Sequence, residues 1–161
     1  MAHAGKQGSS FKGSVLRRFD PWSGRLCTCP PKYSLHPYTG CSHMCLYCYA
    51  TSYIGVKRSK PKANFLGRLM RDLERADPGL PVEMSTSSDP YPPEEESYLL
   101  TRKALRLLLQ KGFKVLITTK SNLVVRDMEL LKSGNTAVMI TITGLNDFVK
   151  TFEPGAPPPK E

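Results

Sequence analysis

Residues Tyr38 to Ala50 read YTGCSHMCLYCYA and carry Cys41, Cys45 and Cys48 in the spacing C-x3-C-x2-C, with no Lys, Arg, Asp or Glu among them. Thiolates are soft ligands that suit zinc, copper(I) and iron–sulfur clusters. A structural zinc site takes four protein ligands, and the fourth is available from His43, His36, Cys27 or Cys29. A [4Fe–4S] cluster uses three thiolates differently, because one iron keeps an open position for the amine and carboxylate of a substrate or cofactor. Five cysteines, an odd number, argue against a disulfide framework and for metal or redox chemistry.

The elements that must position these thiols follow from hydrophobic periodicity. KANFLGRLMRDLERA (62–76) reads as a helix with Phe65, Leu66, Leu69 and Leu73 on its apolar face. PVEMSTS (81–87) reads as a strand ending in hydroxyls. SYLLTRKALRLLLQ (97–110) reads as a helix preceded by acids and closed by Lys111 and Gly112. FKVLITT (113–119) is expected as a buried strand, LVVRDMELLKSG (123–134) as a second amphipathic helix, and TAVMITIT (136–143) as another buried strand. With a short strand at 33–36, the order is strand, cysteine loop, helix, strand, helix, strand, helix, strand. That alternation predicts right-handed β/α units around a parallel sheet, whose site lies at the carboxyl ends of the strands. Ser87, Ser88 and Asp89, then Lys120 and Ser121, then Thr141 and Thr143 fall at those ends and are expected to converge on the thiols.

At 161 residues, with 40% hydrophobic and 23% charged residues, the chain reads as one globular domain. Lys and Arg total 23 against 14 Asp and Glu, a net charge of +9, and up to residue 70 the single acid is Asp20. A cationic first half points to a polyanion such as nucleic acid. The loop TSYIGVKRSK (51–60), basic with an aromatic, either tracks a phosphate backbone or is a solvated loop. MAHAGKQGSS lacks the apolar core of a secretory signal, and no apolar run approaches a membrane span, so a cytoplasmic protein with no membrane partner is expected.

CSHMCLYC, with an aromatic before the last cysteine, resembles the cluster motif of the radical S-adenosylmethionine (radical SAM) superfamily. HPYTGC, CLYCYA, SSDPYPPEE and TTKSNLVVRD together resemble its spore photoproduct lyase-like branch, also called DNA repair photolyase-like, across most of residues 27–155. The resemblance implies that Cys41, Cys45 and Cys48 ligate a [4Fe–4S] cluster whose fourth iron chelates S-adenosylmethionine. One electron, from a donor such as ferredoxin or flavodoxin, would then yield methionine and a hydrogen-abstracting 5′-deoxyadenosyl radical. It further implies Tyr47 beside the adenine, Ser88 with Asp89 at the cofactor's amine, Lys120 at its carboxylate and Thr141 contacting it. Where the photoproduct lyase has a hydrogen-returning cysteine this chain has Thr86, whose O–H bond is stronger than a thiol's S–H.

The fold class expected is α/β, an incomplete parallel β/α partial (TIM-like) barrel. A basic N-terminal arm spans residues 1–32, with Phe19 and Trp22 as its anchors. The radical SAM core spans 33–152 and a proline-rich tail 153–161. Related proteins continue through two more β/α units, so either a second chain completes the sheet or this is a fragment. The function expected is that of a lyase-like radical SAM enzyme acting on nucleic acid. The alternatives are a zinc-stabilised nucleic-acid-binding module and a catalytically inactive remnant, with Cys27 and Cys29 as incidental cysteines or ligands of a second metal.

Overall fold

β-branched and aromatic residues cluster in short runs between turns, and those runs build the sheet. The computed structural model describes residues 11–19, 30–55 and 57–158. Strands β1 (Leu16–Phe19) and β2 (Lys32–Leu35) pair antiparallel. Two-residue strands β3 (Tyr38–Thr39) and β4 (Lys60–Pro61) form a separate antiparallel ribbon, flanking a single helical turn α1 (Thr51–Ile54). Helix α2 (Phe65–Leu73) leads to β5 (Val82–Met84), and the helices α3 (Glu95–Tyr98) and α4 (Leu100–Gln110) lead to β6 (Val115–Thr119). A 3-10 turn (Asn122–Asp127) and α5 (Met128–Ser133) precede β7 (Thr136–Ile140), and α6 (Val149–Phe152) follows it.

The main sheet has the order β1-β2-β5-β6-β7, and every pair after the first is parallel. The registers Tyr33↔Val82 and Leu35↔Met84, then Val82↔Val115 and Met84↔Ile117, carry each strand's inward residues across in rows. Leu16, Leu35, Val82, Met84 and Ile117 are fully buried against Leu69 of α2 and Ala104, Leu105 and Leu108 of α4. This is a mixed α/β fold with a mostly parallel central sheet, as expected, and among the described residues the sheet is open.

Several elements differ from the sequence reading, each for a local reason. Residues 16–19 of the expected arm form an edge strand, because Asp72 of α2 accepts the backbone amides of Ser14, Val15 and Leu16 at 2.8–3.0 Å. Phe19 lies in that strand, whereas Trp22, Cys27 and Cys29 fall outside the described residues. The helix expected over 97–110 is two helices, broken where Leu99 takes a left-handed φ of 54°. A buried charged network locks that break: Arg126 pairs with Glu95 at 2.9 Å and with Asp127 at 3.0 Å, and Tyr91 donates to Asp127 at 3.1 Å. β7, expected to be buried, is an exposed edge, with Val138, Met139 and Ile140 open to solvent. No β-strand lies beyond it among the described residues. No described helix is long and apolar enough to cross a membrane.

Candidate active site

The cysteine loop leaves β3 at Gly40, whose φ of 80° and close approach to the carbonyls of Lys57 and Arg58 leave no room for a side chain. Each cysteine then opens a turn. The carbonyls of Cys41, Cys45 and Cys48 accept the amides of Met44, Cys48 and Thr51 at 3.1–3.2 Å. Met44, at φ 49°, supplies the bend between the first two thiols. The loop is stitched to its neighbours: Cys41 donates to the Lys57 carbonyl at 2.8 Å, and Ser42 and Ser59 exchange amide-to-hydroxyl bonds at 3.0 and 2.9 Å.

Asp89, after β5, ties the ends of β5 and β6 to this loop. Its carboxylate accepts from the Thr119 hydroxyl at 2.6 Å, from the amides of Tyr91 and Lys120 at 2.8 Å, and faces His43 Nδ1 at 3.3 Å. Burial would raise its pKa, but His43, Thr119 and the Lys120 amide outweigh that and hold it below the ordinary carboxylate range. The other ring nitrogen of His43 is buried without a partner among the described residues.

A second polar knot gathers around Lys120. Its ammonium lies 2.8 Å from Glu153, 2.9 Å from the Thr143 hydroxyl and 5.9 Å from the centre of the Tyr47 ring. The Tyr47 hydroxyl donates to the same Glu153 carboxylate and lies 3.1 Å from Thr143. Burial pushes the Glu153 pKa up and the Lys120 pKa down. The segment carrying Glu153 is seated on the cysteine loop, with Leu46 donating to the Phe152 carbonyl at 2.8 Å and Gly155 to the His43 carbonyl at 3.1 Å.

The cysteine loop, Asp89 and Lys120 border a cleft of about 230 Å³ at the carboxyl ends of the strands, whereas Ser121, Thr143 and Glu153 line a neighbouring cavity. Of the residues singled out in the sequence, Cys41, Cys45, Cys48, Tyr47, Ser88, Asp89, Lys120 and Thr141 all line it. Thr86 lines it too, but its hydroxyl meets His36 Nε2 at 2.6 Å. His36 faces away into a separate hollow. Sequence reasoning missed Glu153, 33 residues beyond Lys120 in a segment read as a loop. It also missed Ser85, at an unusual φ of 135° with its buried hydroxyl unpartnered among the described residues.

The sulfurs share the cleft as free thiols, all half-buried, but among the described residues no three His, Cys, Asp or Glu side chains are drawn into a metal-holding group. Cys45 nonetheless senses the charge of Cys41 and Cys48, and Cys41 that of Cys48. Burial raises both thiols. Glu153 and the other thiols take Cys45 further, to about 11, whereas the amides of Asp89 and His43 relieve Cys41.

The family model of the radical SAM superfamily matches residues 35–158. The chain belongs to the radical SAM superfamily. An uncharacterised protein of Methanocaldococcus jannaschii is 32% identical over 140 residues, 78% of this chain and 50% of its own length. One from Acidianus two-tailed virus is 31% identical over 147 residues, and one from Mycobacterium tuberculosis 27%, covering 80% and 81% of this chain and 48% and 43% of theirs. The chain therefore spans about half the length of the curated relatives it matches. No solved structure matches it. Radical SAM proteins normally bind a [4Fe–4S] cluster and S-adenosylmethionine. The donor set here suits that pair: three unbonded thiols on one loop, and beside them a lysine, a serine, a threonine and an exposed tyrosine ring.

Proposed function

We propose that this radical SAM chain holds a [4Fe–4S] cluster on Cys41, Cys45 and Cys48 and binds S-adenosylmethionine in the adjoining cleft. When bound, the pair supplies one-electron cleavage of the sulfonium bond and a hydrogen-abstracting 5′-deoxyadenosyl radical. Lys120 receives the cofactor's carboxylate, Ser88 its amine, Tyr47 flanks the adenine, and Thr141 closes the far wall. Asp89 positions the set: by accepting the Lys120 amide and the Thr119 hydroxyl, it fixes the turn from which the lysine projects. The observation that carries this reading is that all these residues, from four separate segments, line one cleft with the thiols.

The substrate in this reading is a nucleic-acid strand, supported by the cationic first half of the chain and by the likeness of SSDPYPPEE and TTKSNLVVRD to the photoproduct lyase-like branch. Thr86 stands where that branch's lyase returns hydrogen from a thiol, and it is engaged with His36. The reaction is therefore lyase-like radical chemistry that does not use Thr86 as a hydrogen donor.

The experiment is anaerobic reconstitution with iron and sulfide, reduction by dithionite, and assay for 5′-deoxyadenosine, with Cys45→Ala as control. The expected result is a brown protein that forms the product and a variant that forms none. A colourless protein that retains zinc would sink the proposal.

A further inference from the structure

On the other side of the His36–Thr86 contact lies a second hollow of about 620 Å³, lined by Arg17 of β1, His36, Lys60 of β4, Lys62 just after it, Arg68 of α2, and Ser87. Ser87 also lines the cysteine cleft, so the two spaces share a wall. Among the described residues no carboxylate lines the hollow. Among the described residues none of Arg17, Lys60, Lys62 or Arg68 forms an ion pair, and Asp72, behind Ser14, is taken up by backbone amides. His36 Nδ1 is buried without a partner among the described residues. Burial, with Arg17 and Arg68 nearby, pulls Lys62 down to about 8, and burial with Lys62 and Arg17 pulls His36 down to about 4. Cations crowded without counter-charge in a concave site are costly to the fold unless an anion relieves them.

We propose that this hollow binds phosphate groups of a single nucleic-acid strand, with Arg17, Lys60, Lys62 and Arg68 as its cationic wall. A strand, rather than a lone phosphate, fits because an aromatic pair stands across the shared wall, with Tyr49 lining the cysteine cleft. Tyr49 and Tyr53 are 73% and 61% exposed with ring centres 6.3 Å apart, and the Tyr49 hydroxyl donates to the carbonyl of Thr86, the residue that contacts His36. Cationic grooves beside exposed aromatic rings bind single strands by phosphate contact and base stacking. The identity of the polymer rests on the proposed function, while phosphate binding by the hollow does not.

The test is fluorescence anisotropy of a labelled 12-mer of deoxythymidylate across a salt series, using the full chain without S-adenosylmethionine or reductant. The Arg17→Gln, Lys62→Gln double variant is expected to weaken binding about 10-fold or more and to flatten the salt slope by about 1.4, since each phosphate contact on a single strand contributes about 0.7. Arg106→Gln, on the exposed face of α4, is expected to match the wild type. Tyr53→Ala is expected to weaken the 12-mer and leave inorganic pyrophosphate binding unchanged. Equal losses in the Arg106 and double variants, or no 12-mer binding by the wild type, would overturn the assignment. Pyrophosphate bound by the wild type in the absence of 12-mer binding would equally overturn it, in favour of a small phosphate ester. The double variant is expected to form 5′-deoxyadenosine at the wild-type rate without substrate, so failure of the phosphate site and failure of the radical reading separate.

Discussion

Lys120 illustrates how much of the site is decided by single side chains. Its ammonium already holds Glu153 at 2.8 Å, so a ligand carboxylate arriving there must displace or share an internal one. Binding at this lysine is an exchange, and its apparent affinity is lowered by the stability of the pair it breaks. Glu153→Gln is expected to tighten S-adenosylmethionine binding about 5-fold, equivalent to ~1 kcal/mol, measured by equilibrium dialysis on the reconstituted protein. Weaker binding in the variant would mean that Glu153 helps to hold the cofactor. The thiols and Lys120 were legible in the sequence because each sits in a short motif whose chemistry is local. Glu153 was not, because its role comes from a fold-back of the chain that no spacing encodes. His43 was read only as a spare zinc ligand. Its contact with Asp89 depends on the cysteine loop packing against the end of β5.

At the scale of elements, strands and helices after residue 80 were legible because long apolar runs alternate with amphipathic ones. Their ends were not. The break at Leu99 needs the Arg126–Glu95 pair, 31 residues apart, to hold it in place. β1 was hidden for a similar reason: LRRF carries too little periodicity to be read as a strand, and its position is fixed from α2 by Asp72. Burial raises the Asp72 pKa, and the amides of Val15, Ser14 and Leu16 more than reverse this, leaving it below the ordinary value. A carboxylate whose folded pKa is depressed adds stability that is present above its unfolded pKa of about 3.9 and is lost as pH falls through the lower folded value. Asp72→Asn is expected to cost about 1–3 kcal/mol near neutral pH, seen in urea unfolding, with faster amide exchange at Leu16. The cost should shrink as pH drops below about 4. A constant cost across that range would show that the charge is not what holds β1.

For the whole molecule, the sheet ends in two unlike edge strands among the described residues. β1 is antiparallel and carries the exposed Arg17 and Arg18, but β7 presents Val138, Met139 and Ile140 to solvent, with Ile142, Leu145 and Phe148 exposed just beyond. The sequence showed an apolar strand, which the pattern of a parallel sheet reads as buried. Burial, however, is a property of what covers a strand, and here nothing among the described residues does. An exposed apolar edge favours edge-to-edge association. Sedimentation velocity is expected to show concentration-dependent self-association that Met139→Lys reduces, with the circular dichroism spectrum unchanged. Equal sedimentation of the two proteins at all concentrations would remove β7 from the association.

The contacts from Leu46 to Phe152 and from Gly155 to His43 join parts of the chain more than a hundred residues apart. Contacts that close long loops carry the largest entropic cost and tend to form late. Seating residues 152–155 on the cysteine loop is thus expected among the later steps of folding. During the interval before it, the strands can already be paired while the three thiols still lie open on one side. For a chain that holds a cluster on these thiols, as proposed, that interval is when the loop stands open to receive it.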